Sequence, residues 1–159
     1  MFYIKNLNVF LIKMKLIYLL ILINCILLTS CTNEQEGIMT IQDAWLREAP
    51  PNASAMAGYL TIHNNTTQDK MLTFAKSKHF NAIEFHRTTF EDDIAKMRRH
   101  DELSIPAGQS REFKPGDFHL MLFGPKEALK SGDEVVVTLC ILDKENLEEI
   151  DINMYVKKP

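Results

Sequence analysis

His119 and Met121 stand two residues apart in the run Phe118-His119-Leu120-Met121-Leu122-Phe123, which follows Pro115-Gly116-Asp117 and ends at Gly124. An apolar run with turn residues at both ends reads as a strand. Alternation then places Phe118, Leu120 and Leu122 on one face and His119, Met121 and Phe123 on the other. The first face is ordinary core. The second sets an imidazole beside a thioether, the smallest fragment of a soft-metal site. By itself the pair decides nothing, because methionine fills gaps in cores and a single histidine is more often packed or solvated than ligating.

A second such pair lies upstream. Ala82 to Thr89 alternates, with Ile83 and Phe85 on one side and Glu84, His86 and Thr88 on the other. Phe90-Glu91-Asp92-Asp93 reads as a turn, and Ile94 to Arg99 as the antiparallel return. A turn centred between Glu91 and Asp92 sets His86 directly opposite Met97, with Cβ atoms roughly 4.5–5.5 Å apart. The same register sets Phe85 against Arg98, a poor core partner. Two imidazoles and two thioethers brought together suit Cu(I), which accepts soft neutral donors, better than Zn²⁺, Ca²⁺ or Mg²⁺.

The elements that must position these residues are short. Strand patterns cover Ile38 to Leu46, with Ile41 and Trp45 as anchors, then Met56 to Ile62 and Met71 to Ala75. Leu103 to Ile105, Ser110 to Lys114, Glu134 to Leu142 and Leu147 to Val156 follow. Glu134 to Leu142 is apolar on both faces and belongs in the middle of a sheet. Pro125 to Lys130 is the one place for a helical turn. Many short strands between frequent turns indicate an all-β, antiparallel sandwich or barrel forming a single domain.

The 159 residues carry a net charge of −3 and are 46% hydrophobic. No basic cluster points to nucleic acid. Lys13 and Lys15 precede an apolar stretch from Leu16 to Leu28, followed by Thr29-Ser30-Cys31, which resembles a bacterial lipoprotein signal with Cys31 as the lipidated residue. Met14 serves equally well as the start. The expected organisation is a signal peptide over 1–30, a lipidated Cys31 with tether over 31–37, and a β-domain over 38–156. Removal of Cys25 and lipidation of Cys31 leave Cys140 alone, so no internal disulfide is expected.

Ten residues separate His86 from Met97, twenty-one separate Met97 from His119, and one separates His119 from Met121. This spacing resembles the H-x10-M-x21-H-x-M signature of the PCuAC family of periplasmic copper chaperones. Asp43-Ala44-Trp45-Leu46-Arg47 with Ala49-Pro50-Pro51, Gly58-Tyr59-Leu60-Thr61-Ile62, and Pro115-Gly116 before His119 agree with it. The resemblance implies a cupredoxin-like β-sandwich that holds Cu(I) near its surface through His86, Met97, His119 and Met121. It further implies a lipid-anchored carrier on the periplasmic side of a bacterial membrane, passing copper to the binuclear centre of cytochrome c oxidase subunit II alongside a Sco-type thiol protein. One position departs from the pattern: where many members have methionine after the first histidine, this chain has Arg87, expected to set a cation beside the site.

His63, His79 and His100 read as surface residues, and Met56 and Met71 as core fillers. Cys140, amid the most apolar strand, reads as an inert buried thiol. No histidine follows His119, against the usual blue-copper order of Cys, His and Met, and neither a zinc-hydrolase ligand cluster nor a nucleophile elbow is present. The chain therefore reads as a non-enzyme. Two other readings stay open: a lipoprotein β-sandwich acting as an assembly or surface-binding module, and a thiol oxidoreductase built on Cys140.

Overall fold

A computed structural model describes residues 14–18, 37–143 and 146–158. Residues 14–18 are helical. The rest of the expected signal segment 1–30, with Cys31 and the tether up to residue 36, lies outside the described residues. Glu36–Pro159 forms one compact unit.

Ten strands are present among the described residues of that unit: β1 (Met39–Arg47), β2 (Ala55–Asn64), β3 (Lys70–Lys76), β4 (Ala82–Glu91), β5 (Ile94–His100), β6 (Leu103–Ile105), β7 (Ser110–Phe113), β8 (Phe118–Phe123), β9 (Glu134–Asp143) and β10 (Asn146–Lys157). They pair in the order β5-β4-β8-β2-β1-β10-β9-β3-β6, with β7 also on β2. Pairing of Ala75 in β3 with Ile83 in β4 closes the sheet into a barrel. The all-β expectation holds. Pairing is antiparallel except between β1 and β10, which run parallel through Trp45↔Tyr155 and Leu46↔Val156. A parallel pair needs a long crossover, and here nearly the whole domain supplies it.

Inward-facing residues of every wall fill the barrel. Leu60, Ile62, Leu72, Leu120, Leu122, Val137, Leu139, Ile141 and Met154 are fully or almost fully buried. In β1 the deep anchor is Leu46, while Ile41 and Trp45 are only partly covered. An extra residue between Gln42 and Trp45 shifts the β1–β2 register, and Asp43 takes φ 52° there. That bulge turns Trp45 onto Tyr59, ring centroids 4.6 Å apart, at the barrel's outer side.

Two expectations about local structure need correction. Pro125 to Lys130 forms no helix; Lys126 N donates to the His79 carbonyl instead, anchoring the loop at 2.9 Å. The β4–β5 turn also falls one residue later than the sequence pattern suggests. Asp92 and Asp93 occupy a two-residue loop with φ 50° and 58°, the conformation that matches the right-handed twist of paired strands. Glu91 therefore pairs with Ile94, Thr88 with Met97, His86 with Arg99 and Phe85 with His100. Every side chain keeps its expected face, because partners move by whole two-residue repeats. The direct pairing of His86 with Met97 is lost, and Phe85 escapes Arg98.

Left-handed backbone strains both aspartates, and Asn-Gly adopts it more readily. Replacing Asp92-Asp93 by Asn-Gly is expected to stabilise the domain by about 1 kcal/mol, read as a higher urea midpoint with unchanged slope. A drop in the midpoint would contradict this turn assignment.

Candidate metal centre

β4 lies between β5 and β8, and its two faces do different work. On the inner face Phe85 pairs with Leu120 and Ile83 with Leu122, joining the core. Alternation turns the neighbours outward: His86 pairs with His119, and Glu84 with Met121. The imidazoles of His86 and His119 are 6.0 Å apart by ring centroids, tilted by 55°. Met121 is partly covered, and Ala57 of β2 pairs with it from the far side. Phe123 on the same face reaches back until its ring is 6.1 Å from His86.

The expected residues thus share one outward face, but not equally. His86, His119 and Met121 are neighbours on β4 and β8. Met97 points to the same face from β5, yet it sits opposite Thr88, one two-residue repeat beyond His86 toward the hairpin tip. A diagonal neighbour of this kind is about 7–8 Å away, within reach of a long unbranched side chain. Met97 is 54% exposed, whereas His119 is only 4% exposed. The face therefore has a covered end and an open one.

Each histidine is oriented by one hydrogen bond. His119 Nδ1–H donates to the Asp117 carbonyl at 2.9 Å. A carbonyl can only accept, so in the neutral ring the lone pair lies on Nε2. His86 Nε2 is 2.8 Å from a carboxylate oxygen of Glu84, so there the proton lies on Nε2. Its Nδ1 is buried and has no hydrogen-bond partner. Burial holds the His119 pKa below the ordinary 6.5; the Asp117 carbonyl opposes this, and the nearby His86 adds to it. A neutral ring is the form that can donate a lone pair to a metal.

Glu84 and Arg99 were not among the expected site residues. Glu84 also accepts from Arg99 Nη1 at 3.0 Å, and Arg99 is the cross-strand partner of His86. The Glu84-x-His86 spacing was visible in the sequence as a shared face; Arg99 needed the true hairpin register. Arg87 corrects another expectation. Strand alternation carries it to the face opposite His86, where Nε donates to Asp117 at 2.8 Å and the guanidinium lies 4.8 Å from the Phe118 centroid. It follows the first histidine in sequence without entering its site. Among the described residues no three His, Cys, Asp or Glu side chains cluster to hold a metal.

The remaining histidines stand apart. His63 Nδ1 is 2.6 Å from Ser110 Oγ, His79 Nδ1 is 2.6 Å from Glu127, and the His100 ring packs against Phe118, tilted by 57° with centroids 5.4 Å apart. Cys140 is fully buried in β9, and burial with the nearby Glu149 carboxylate raises its pKa. A thiol held in that state is a poor nucleophile.

Comparison with known proteins adds a family and a fold. The family described as "Putative lipoprotein LpqE-like" matches residues 39–152. An uncharacterized Rickettsia prowazekii protein, RP573, is 34% identical over 86 residues, covering 54% of this chain and 48% of that protein. The Leifsonia xyli protein named "Putative lipoprotein Lxx21020" is 27% identical over 111 residues, covering 69% of this chain and 65% of that one. The chain thus spans under two thirds of either relative. The structure titled "Copper-bound PCuAC domain from PmoF2" superposes with TM-score 0.64 at 22% identity, covering 78% of this chain and 96% of that one. The solution structure of CuI-DR1885 from Deinococcus radiodurans gives 0.63 at 27% identity, covering 81% and 85%. The barrel described above is therefore the PCuAC, cupredoxin-like fold.

The depressed His119 pKa sets a sign for stability. Between the folded value and 6.5 the unfolded chain binds the extra proton, so stability is complete above that range and falls as pH drops through it. The metal-free protein is expected to lose thermal stability as pH falls below the ordinary histidine value of 6.5, with a shallower loss in His119→Asn. Equal slopes in the two proteins would exclude His119 as the buried titrating group.

Proposed function

The chain belongs to the LpqE-like family, and from that footing we propose that its domain carries Cu(I) as cargo on the outward face of β5, β4 and β8. The carrying observation is the His86↔His119 pairing on adjacent strands, with Met121 next along β8. His86, His119 and Met121 supply the covered part of the site, and Met97 completes it from the exposed hairpin. All four donors are neutral and soft or borderline, matching Cu(I). The relative whose structure is titled CuI-DR1885 supports the same ion and oxidation state.

In this reading the protein is a metallochaperone and performs no reaction. An ion held by neutral donors at an accessible rim can leave by stepwise ligand exchange, as a partner's thiolate or imidazole replaces one donor at a time. The partners that fit are the binuclear copper centre of cytochrome c oxidase subunit II and a Sco-type thiol protein, both taken from the family resemblance. Anchoring through Cys31 would hold the domain at the periplasmic side of a bacterial membrane, with 1–30 as the removed signal and 31–37 as the tether. Lipoprotein relatives support that placement.

A second reading draws on Phe90 and Ile94, which are 66% and 62% exposed beside the β4–β5 turn. Two large apolar side chains at a hairpin tip also suit an assembly or surface-binding module that transfers no metal. Anaerobic titration separates the two. One Cu(I) is expected to bind per chain, and X-ray absorption of the loaded protein should count both nitrogen and sulfur neighbours. Met121→Leu should weaken binding at least about tenfold, equivalent to about 1.4 kcal/mol, and Met97→Leu less. The double variant should lose most of the binding. Wild-type protein that takes up no Cu(I) would leave the surface-binding reading in place.

A further inference from the structure

The proposed ligand set leaves one carboxylate on the site face without a role. Glu84 precedes His86 by two residues on β4, so both project from the same side. Its two oxygens are engaged separately, one by His86 Nε2–H at 2.8 Å and the other by Arg99 Nη1 at 3.0 Å. Arg99 Nε is in turn 3.0 Å from Asp101, so the guanidinium is held from both ends. Asp101–Arg99–Glu84–His86 is a continuous chain of charge-assisted contacts ending on one ring nitrogen.

The other nitrogen is the informative one. His86 Nδ1 is buried and unpartnered, and a buried acceptor without a donor is costly unless a ligand satisfies it. His119 shows the opposite arrangement, with Nδ1–H on the Asp117 carbonyl and its lone pair on Nε2. Two facing imidazoles are thus locked in opposite tautomers by two different acceptors.

We propose that Glu84 is a positioning residue for copper capture: it holds His86 so that Nδ1 meets the ion, while His119 offers Nε2. The assignment rests on the copper reading above. A carboxylate on the distal N–H fixes the orientation of a ligating histidine and makes its other nitrogen a better donor. Arg99 keeps that carboxylate on the ring, away from the ion, where a hard oxygen would suit Cu(I) poorly.

The test is imidazole ¹H–¹⁵N correlation on the full chain in detergent, first metal-free and then with one equivalent of Cu(I) under anaerobic, reducing conditions. Metal-free protein should show His86 protonated at Nε2 and His119 at Nδ1. Copper should shift His86 Nδ1 and His119 Nε2 and leave both protonated nitrogens in place. Glu84→Gln offers one acceptor oxygen to two donors, so it should mix the His86 tautomers while leaving His119 protonated at Nδ1. Glu84→Leu should weaken Cu(I) binding about 10–100-fold and let His86 bind through either nitrogen, with the fold intact by amide spectrum. Copper on His86 Nε2 in the wild type, or a Glu84→Leu variant with unchanged affinity and pattern, overturns the assignment and leaves the copper reading standing. No copper shift at either ring removes both.

Discussion

One stretch of ladder, β4 against β8, carries both the core and the site. Phe85 against Leu120 is buried, and His86 against His119 is the next pair along the same two strands. Because side chains alternate, the register that seats the apolar pair inside is the one that sets the imidazoles side by side outside. A one-residue slip of β4 would turn His86 inward and expose Phe85. The hydrophobic penalty for that slip guards the geometry of the polar face, with no contribution from the polar face itself.

The site that results is uneven by construction. Its β8 end is covered and its histidines are tied, one to a main-chain carbonyl and one to a carboxylate. Its β5 end is the margin of the sheet order, with Met97 largely in solvent. Donors already oriented lose little freedom when an ion arrives. A loosely held donor at an edge is the natural first point of exchange. A carrier needs both properties, and a β-hairpin projecting from a closed barrel offers them in one element.

Charges around the hairpin are largely neutralised in place. Arg87 meets Asp117, Arg99 meets Glu84 and Asp101, and Lys96 and Arg98 both approach Glu91. Exposed pairs of this sort add little stability. Their effect here is local direction: Arg87 is held on the opposite face by Asp117, and Arg99 is held on Glu84 beside His86. The opposing Arg87 and Arg98, cross-strand partners of like charge, each lie near a carboxylate, Asp117 for Arg87 and the Glu91 shared with Lys96 for Arg98.

Much of this was legible in the residue order. Alternation in Phe118–Phe123 and Ala82–Thr89 separates core from site face, but Arg87, expected beside the site because it follows His86 in sequence, lies on the opposite face against Asp117. Short strands and frequent turns sufficed for an all-β domain, because periodicity and turn chemistry are local properties. What the sequence alone could not supply was anything that depends on which strands meet. The turn type at Asp92-Asp93 moved Met97 from opposite His86 to opposite Thr88, since two consecutive aspartates can sit in left-handed backbone and shift the loop by one residue. The His86↔His119 pairing joins strands separated by three others in sequence, and the burial of His119 follows from it, while the Arg99 hold on Glu84 follows from the hairpin register. Local pattern tells a side chain which way to face; only closure of the barrel decides what it faces.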